Sequence, residues 1–212
     1  MENIDRSKLT IIRLIILLMC AMIIPVSLIA QDMKAGIKGG VNFSNFTSLD
    51  NTEDQGNRTG FHAGVFAQLP VSEFFAVQPE LTYSTKGTKA DYNIAGFEGE
   101  AKYNLNYLDI PVLAVFKLGE SADIQIGPYV GFLLNKKVET DIISGQFAPD
   151  DSFKNVDFGM SAGFALNFDP ISVGTRYNYG ITKINETEAS EAGLSNTRNS
   201  NAQIFIAFDL SN

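Results

Sequence analysis

Residues Asn155–Phe168, NVDFGMSAGFALNF, place an apolar side chain at every second position from Val156 to Phe168. Between them stand Asp157, Gly159, Ser161, Gly163, Ala165 and Asn167, all small or polar. A period of two belongs to a β-strand with one dry face and one different face. The run is long for a strand in a soluble domain, where about five or six residues is usual. The same alternation returns in Lys34–Phe43, Gly60–Leu69, Phe75–Lys86, Tyr103–Leu118, Asp123–Asn135, Ile171–Thr182 and Asn201–Leu210. A chain with this pattern must build eight long two-faced strands and find a different environment for each face.

One segment changes phase. In YNLNYLDIPVLAVFKL, Tyr103, Leu105 and Tyr107 mark one apolar row, then Leu108, Ile110, Val112, Ala114 and Phe116 mark the other. An extra residue reverses every side chain that follows it, so a β-bulge between Tyr107 and Leu108 is expected to keep one continuous apolar face. In the strand Asp123–Asn135, Asn135 is assigned to the polar face with Asp123, Gln125, Gly127, Tyr129 and Gly131.

The connections alternate in length. The segments 44–59, 87–101, 138–154 and 185–198 are long and polar, whereas 70–74, 119–122 and 169–170 are short. In an up-and-down meander this puts every long loop at one end. Bacterial outer-membrane barrels have this asymmetry, with short periplasmic turns and long outer loops. Strands of ten to thirteen residues match a tilted crossing of a bilayer, and closure leaves no backbone group unpaired in lipid. The sequence therefore predicts an all-β fold, an eight-stranded antiparallel up-and-down transmembrane β-barrel, with its apolar face in lipid and its Gly, Asn, Ser and Asp face in a narrow lumen. Phe43, Phe61, Phe75, Tyr83, Tyr103, Phe116, Phe168 and Tyr179 are expected at the membrane interfaces. A soluble barrel with an apolar interior is the competing fold. It would need an outer face rich in Lys and Glu, and the polar face here is mostly Gly, Asn, Gln and Ser.

The N-terminus supplies the export route. Arg6, Lys8 and Arg13 precede an apolar run from Leu14 to Ala30. This reads as a cleaved signal peptide over 1–30, followed by the outer-membrane β-barrel domain over 31–212. A permanent membrane helix fits less well, because the run is short of the ~20 residues a span needs and contains Pro25. The one cysteine, Cys20, lies in the leader. Without residues 1–30 the chain has 13 basic and 22 acidic residues, a balance that argues against nucleic acid as a partner.

Catalytic and metal chemistry find little support. His62 is the single histidine, and on the lumen face it reads as a hydrogen-bonded barrel residue without a nucleophile to serve. Metal sites built from His and Cys are excluded, no cofactor is implied, and the chain is not read as an enzyme. Acidic groups cluster in the long loops at Asp50, Glu53 and Asp54, at Glu98 and Glu100, at Asp150 and Asp151, and at Glu186, Glu188 and Glu191. None has a calcium-loop spacing, so they read as solvated loop charges.

The inward charges are the candidate site. Glu80 and Arg176 are each the sixth residue of a strand leaving the short-turn end, on the third and seventh strands, hence on opposite walls at one depth. Lys38 lies at a comparable height. A buried charge needs a partner, so a Glu80–Arg176 pair, with Lys38 and Tyr129 nearby, is expected to plug the lumen.

KAGIKGGVNFSNF, GFHAGVFAQLP, VQPELTYSTKG, YLDIPVLAVFK, GPYVGFLLNKK and VGTRYNYGIT follow one another in the chain. In this order the sequence resembles the PorT-like family of Bacteroidetes outer-membrane β-barrel proteins over nearly all of residues 34–210. The resemblance implies an eight-stranded outer-membrane barrel, and a link to protein export through the member that names the family. Two functional classes follow. One is a closed barrel with a structural or interaction role, touching outer-membrane lipid and, through its outer loops, envelope or export-machinery proteins. The other is a narrow channel for small solutes or ions. Eight strands leave room only for side chains, which favours the first.

Overall fold

The computed structural model describes residues 33–47, 55–94, 97–140, 154–182 and 198–211. Residues 1–30 with Cys20, the expected leader, lie outside them, as do Asp50, Glu53, Asp54, Asp150, Asp151, Glu186, Glu188 and Glu191 and the side chains of Glu98, Glu100 and Tyr103. The strands are β1 (Lys34–Thr47), β2 (Gln55–Ser72), β3 (Phe75–Ile94), β4 (Phe97–Lys117), β5 (Ala122–Thr140), β6 (Val156–Phe168), β7 (Ile171–Gly180) and β8 (Arg198–Asp209). Each pairs antiparallel with its neighbours in chain order, and β1 closes on β8. The fold is the predicted eight-stranded up-and-down barrel.

The faces follow the alternation. In β6, Val156, Phe158, Met160, Phe164, Leu166 and Phe168 are exposed on the outside, while Asp157, Ser161 and Ala165 are buried inside. In β8, Ile204, Ile206 and Phe208 face out, with Asn201, Gln203 and Phe205 inside. Exposed apolar rows of this kind go round the whole barrel, and lipid is the medium that accommodates them. Aromatic contacts fall toward both ends of the apolar band. Phe75 and Phe116 pair beside the short turns with ring centroids 5.4 Å apart, and Phe61 and Tyr83 meet at 5.9 Å nearer the long loops. Phe164→Arg puts a charge on the lipid face and is expected to cost about 2–4 kcal/mol near mid-bilayer. Urea unfolding in lipid vesicles measures this, and a variant as stable as the parent would invert the two faces.

Two sequence expectations need correction. First, the alternation in β4 is unbroken: Leu105, Tyr107, Asp109, Leu113 and Val115 are all buried inside. The outward apolar row on β3 and β4 ends at the paired Tyr83 and Leu108. Beyond it, apolar character no longer marks the lipid face, and Leu105 and Tyr107 fill the interior instead. The bulge is in β5, where Asn106 pairs with Asn135 and Tyr107 with Leu133, leaving Leu134 as the extra residue. Asn135 is consequently exposed rather than in the lumen. Second, the segment 87–101 is mainly strand, because β3 and β4 pair as far as Ile94 with Phe97. Past the membrane, backbone hydrogen bonds continue a ladder without any apolar alternation to reveal it.

Candidate functional site

The interior of the barrel is built from the inward positions of every strand, and glycine decides where large side chains fit. At Gly159 a Cβ atom would run into the Tyr129 ring, and at Gly174 into the Phe205 ring. The small residues on β6 and β7 thus leave space for aromatic side chains from β5 and β8.

Glu80, Arg176 and Lys38 meet in the half nearer the short turns. Arg176 reaches across from β7 with Nη1 donating to Glu80 Oε2 at 2.6 Å and Nη2 to Oε1 at 2.9 Å. This two-pronged geometry is the strong form of an ion pair. Arg176 Nη2 also donates to Gln125 Oε1 at 2.5 Å, and Gln78 Nε2 donates to Glu80 Oε1 at 2.7 Å. Gln68 extends the chain by donating to Gln78 Oε1 at 3.0 Å. Lys38 Nζ lies 3.4 Å from both Glu80 oxygens and 3.7 Å from the centroid of the Phe205 ring. All three charged residues are at most 5% exposed.

Tyr129 does not join this group. Its hydroxyl donates to Asp157 Oδ2 at 3.1 Å, in a second cluster toward the long loops. There Lys86 Nζ lies 2.8 Å from Asp109 Oδ1 and 3.7 Å from Asp157 Oδ2. The same ammonium faces the rings of Tyr107 and Tyr129, at 4.8 and 4.9 Å. Asn199 Nδ2 donates to Asp157 Oδ2 at 2.9 Å. Alternation places Lys86, Asp109 and Asp157 inside but does not by itself bring them together. The available signal was the sign of the charges: one inward cation and two inward carboxylates beyond the Glu80 level.

His62 sits between the clusters, with Nδ1 donating to Asn42 Oδ1 at 2.7 Å. Asn42 in turn donates to Ser84 Oγ and to the Thr85 carbonyl, each at 3.0 Å. Gln203 Nε2 donates to Asn42 Oδ1 at 3.0 Å. This amide and hydroxyl network leaves His62 Nε2 buried without a hydrogen-bond partner, so among the described residues no nucleophile is bonded to the imidazole.

Two spaces flank the Glu80 group. On the short-turn side a cavity of about 510 Å³ reaches the turn residues Glu73, Glu120 and Asp169. On the other side, among Lys38, His62, Glu80, Asp109, Tyr129 and Arg176, the space is about 10 Å³, roughly one water. Chemically, the interior holds paired charge and, beside the short turns, a chamber of ligand size.

Similar solved structures include Ail, the attachment invasion locus protein of Yersinia pestis, at 13% identity and a TM-score of 0.46, covering 85% of this chain and 100% of that one. Neisserial surface protein A is 13% identical with a TM-score of 0.49, covering 83% of this chain and 97% of its own. OprG from Pseudomonas aeruginosa is 10% identical with a TM-score of 0.36, covering 84% and 91%. No curated protein matches the sequence. The family model for the outer membrane protein beta-barrel domain matches residues 29–186. With a lipid-facing barrel closed strand by strand and that match over most of its length, the chain belongs to the outer membrane protein beta-barrel domain family and is a small protein of the outer membrane.

Proposed function

We propose that the protein is a plugged barrel with a structural or interaction role in the cell envelope, and neither a catalyst nor a pore. The observation that carries this reading is the Arg176–Glu80 pair, joined across the lumen at 2.6 and 2.9 Å with only about 10 Å³ of space behind it. A hydrated ion does not pass such a contact without breaking it. The work of the protein then falls to its long-loop end, where Asp50, Glu53, Asp54, Glu186, Glu188 and Glu191 give the connecting segments an acidic character suited to a basic partner surface. The PorT-like resemblance supports seeking that partner in the export machinery. The leader over 1–30 supports export by signal peptide.

Planar-bilayer recording tests the plug. Purified barrel is expected to add no steady conductance over an empty membrane, and Arg176→Met with Glu80→Gln is expected to raise it. Steady conductance from the unaltered protein would replace this reading with the narrow channel for small solutes or ions. Crosslinking in intact cells, followed by identification of the captured chains, tests the partner. Capture that survives neutralising Asp50, Glu53 and Asp54 together with Glu186, Glu188 and Glu191 would remove the loops from the role.

A further inference from the structure

We infer that the cavity on the short-turn side is a binding site for a single carboxylate carried on an apolar group. In the orientation of outer-membrane barrels this end faces the periplasm. At about 510 Å³ the chamber is within the roughly 300–1,000 Å³ range of small-ligand sites. Its inner end is cationic. Glu80 already accepts Arg176 and Gln78 at 2.6–2.9 Å, while Lys38 is held only at 3.4 Å. One carboxylate thus serves two cations, and Lys38, 5% exposed and lining the chamber, carries the surplus charge. A buried surplus cation is stabilised by an anion that reaches it.

The wall next to Lys38 is apolar: Phe66 packs on the buried cluster Ala165, Phe205 and Ala207, and all four line the chamber. Outward of Lys38 the lining is net acidic, with Glu73, Glu120, Asp123, Asp169 and Asp209 against Lys34 and Lys117. Acidic groups there disfavour a ligand of high negative charge. A monoanion with an uncharged or cationic body satisfies all three regions, with its carboxylate on Lys38 and its apolar group on Phe66 and Phe205. A free organic acid and the C-terminal residue of a peptide share this chemistry.

The probe is N-acetyl-leucine, titrated into isotopically labelled barrel in phospholipid nanodiscs and followed by amide chemical shifts. Saturable shifts are expected at Lys38, Phe66 and Phe205. The acid is expected to bind about tenfold or more tightly than N-acetyl-leucinamide, as the loss of a charge-assisted contact implies. Lys38→Arg is expected to keep that preference and Lys38→Gln to lose it. Because the acid and amide are compared on the unaltered barrel, the test stands even where a Lys38 variant fails to fold. A leucine-terminated tetrapeptide that binds as well as the small acid assigns the site to peptide ends, and binding of the small acid alone assigns it to free organic acids. Equal binding of acid and amide, tighter binding of the dianion malonate, or shifts confined to lipid-facing residues such as Ile124 would overturn the inference. The titration is independent of bilayer conductance, so failure of the site and failure of the plug are distinguishable.

Discussion

Glu80→Gln is expected to destabilise the barrel by about 3–5 kcal/mol, the usual cost of leaving a buried charge without its partner. Two cations depend on that carboxylate: Arg176, bound through both terminal nitrogens, and Lys38 at 3.4 Å. The amide of glutamine still accepts a hydrogen bond but leaves both positive charges uncompensated. Arg176→Met is expected to be costly too, with Lys38 remaining as a partial partner for Glu80. The double variant should lose less than the two single losses added together, because residues in direct contact are not independent. Urea unfolding of the four proteins in lipid vesicles gives the coupling. Strict additivity would mean that water solvates the two charges separately.

Lys86→Met is the second large effect, again expected at about 3–5 kcal/mol. Its ammonium stands between Asp109 and Asp157, at 2.8 and 3.7 Å, and the carboxylates are 6% and 0% exposed. Removal leaves two like charges facing one another among the rings of Tyr107 and Tyr129. Neutralising one carboxylate should therefore recover stability: Asp109→Asn is expected to be harmful in the parent and beneficial in the Lys86→Met background. That reversal of sign separates an electrostatic loss from a simple cavity. Should Asp109→Asn harm both proteins alike, the cluster owes its stability to packing around the Lys86 stem.

The two clusters were unequally legible. Glu80, Arg176 and Lys38 can be placed together because each is the fifth or sixth residue of a strand that starts at the short-turn end, where counting along the strand still measures depth. Tyr129, expected near them as an inward residue, bonds to Asp157 instead. It lies eight residues into β5, and its height relative to β3 and β7 depends on how far the intervening strands are staggered. Leu105 and Tyr107 misled for another reason. Their apolar character predicts lipid exposure, yet above the paired Tyr83 and Leu108 the strands have passed the apolar band and a large side chain is free to pack inward. The β3–β4 extension leaves no mark in the sequence because a strand in water needs no hydrophobic rhythm.

By itself the sequence determined the number of strands, the face each residue takes within the apolar band, the end at which the long connections gather, and the membrane as the surrounding medium. These are consequences of a local period of two and of the rule that lipid tolerates no open sheet edge. Only the tertiary structure decided which inward charges meet. That outcome depends on the register of each pair of strands, on the bulge at Leu134, and on glycines such as Gly159 and Gly174 that let a ring lie over the neighbouring strand. A strand pattern records the direction of a side chain. The distance across a closed barrel comes from summing the stagger of every strand around it, a quantity that no single segment contains.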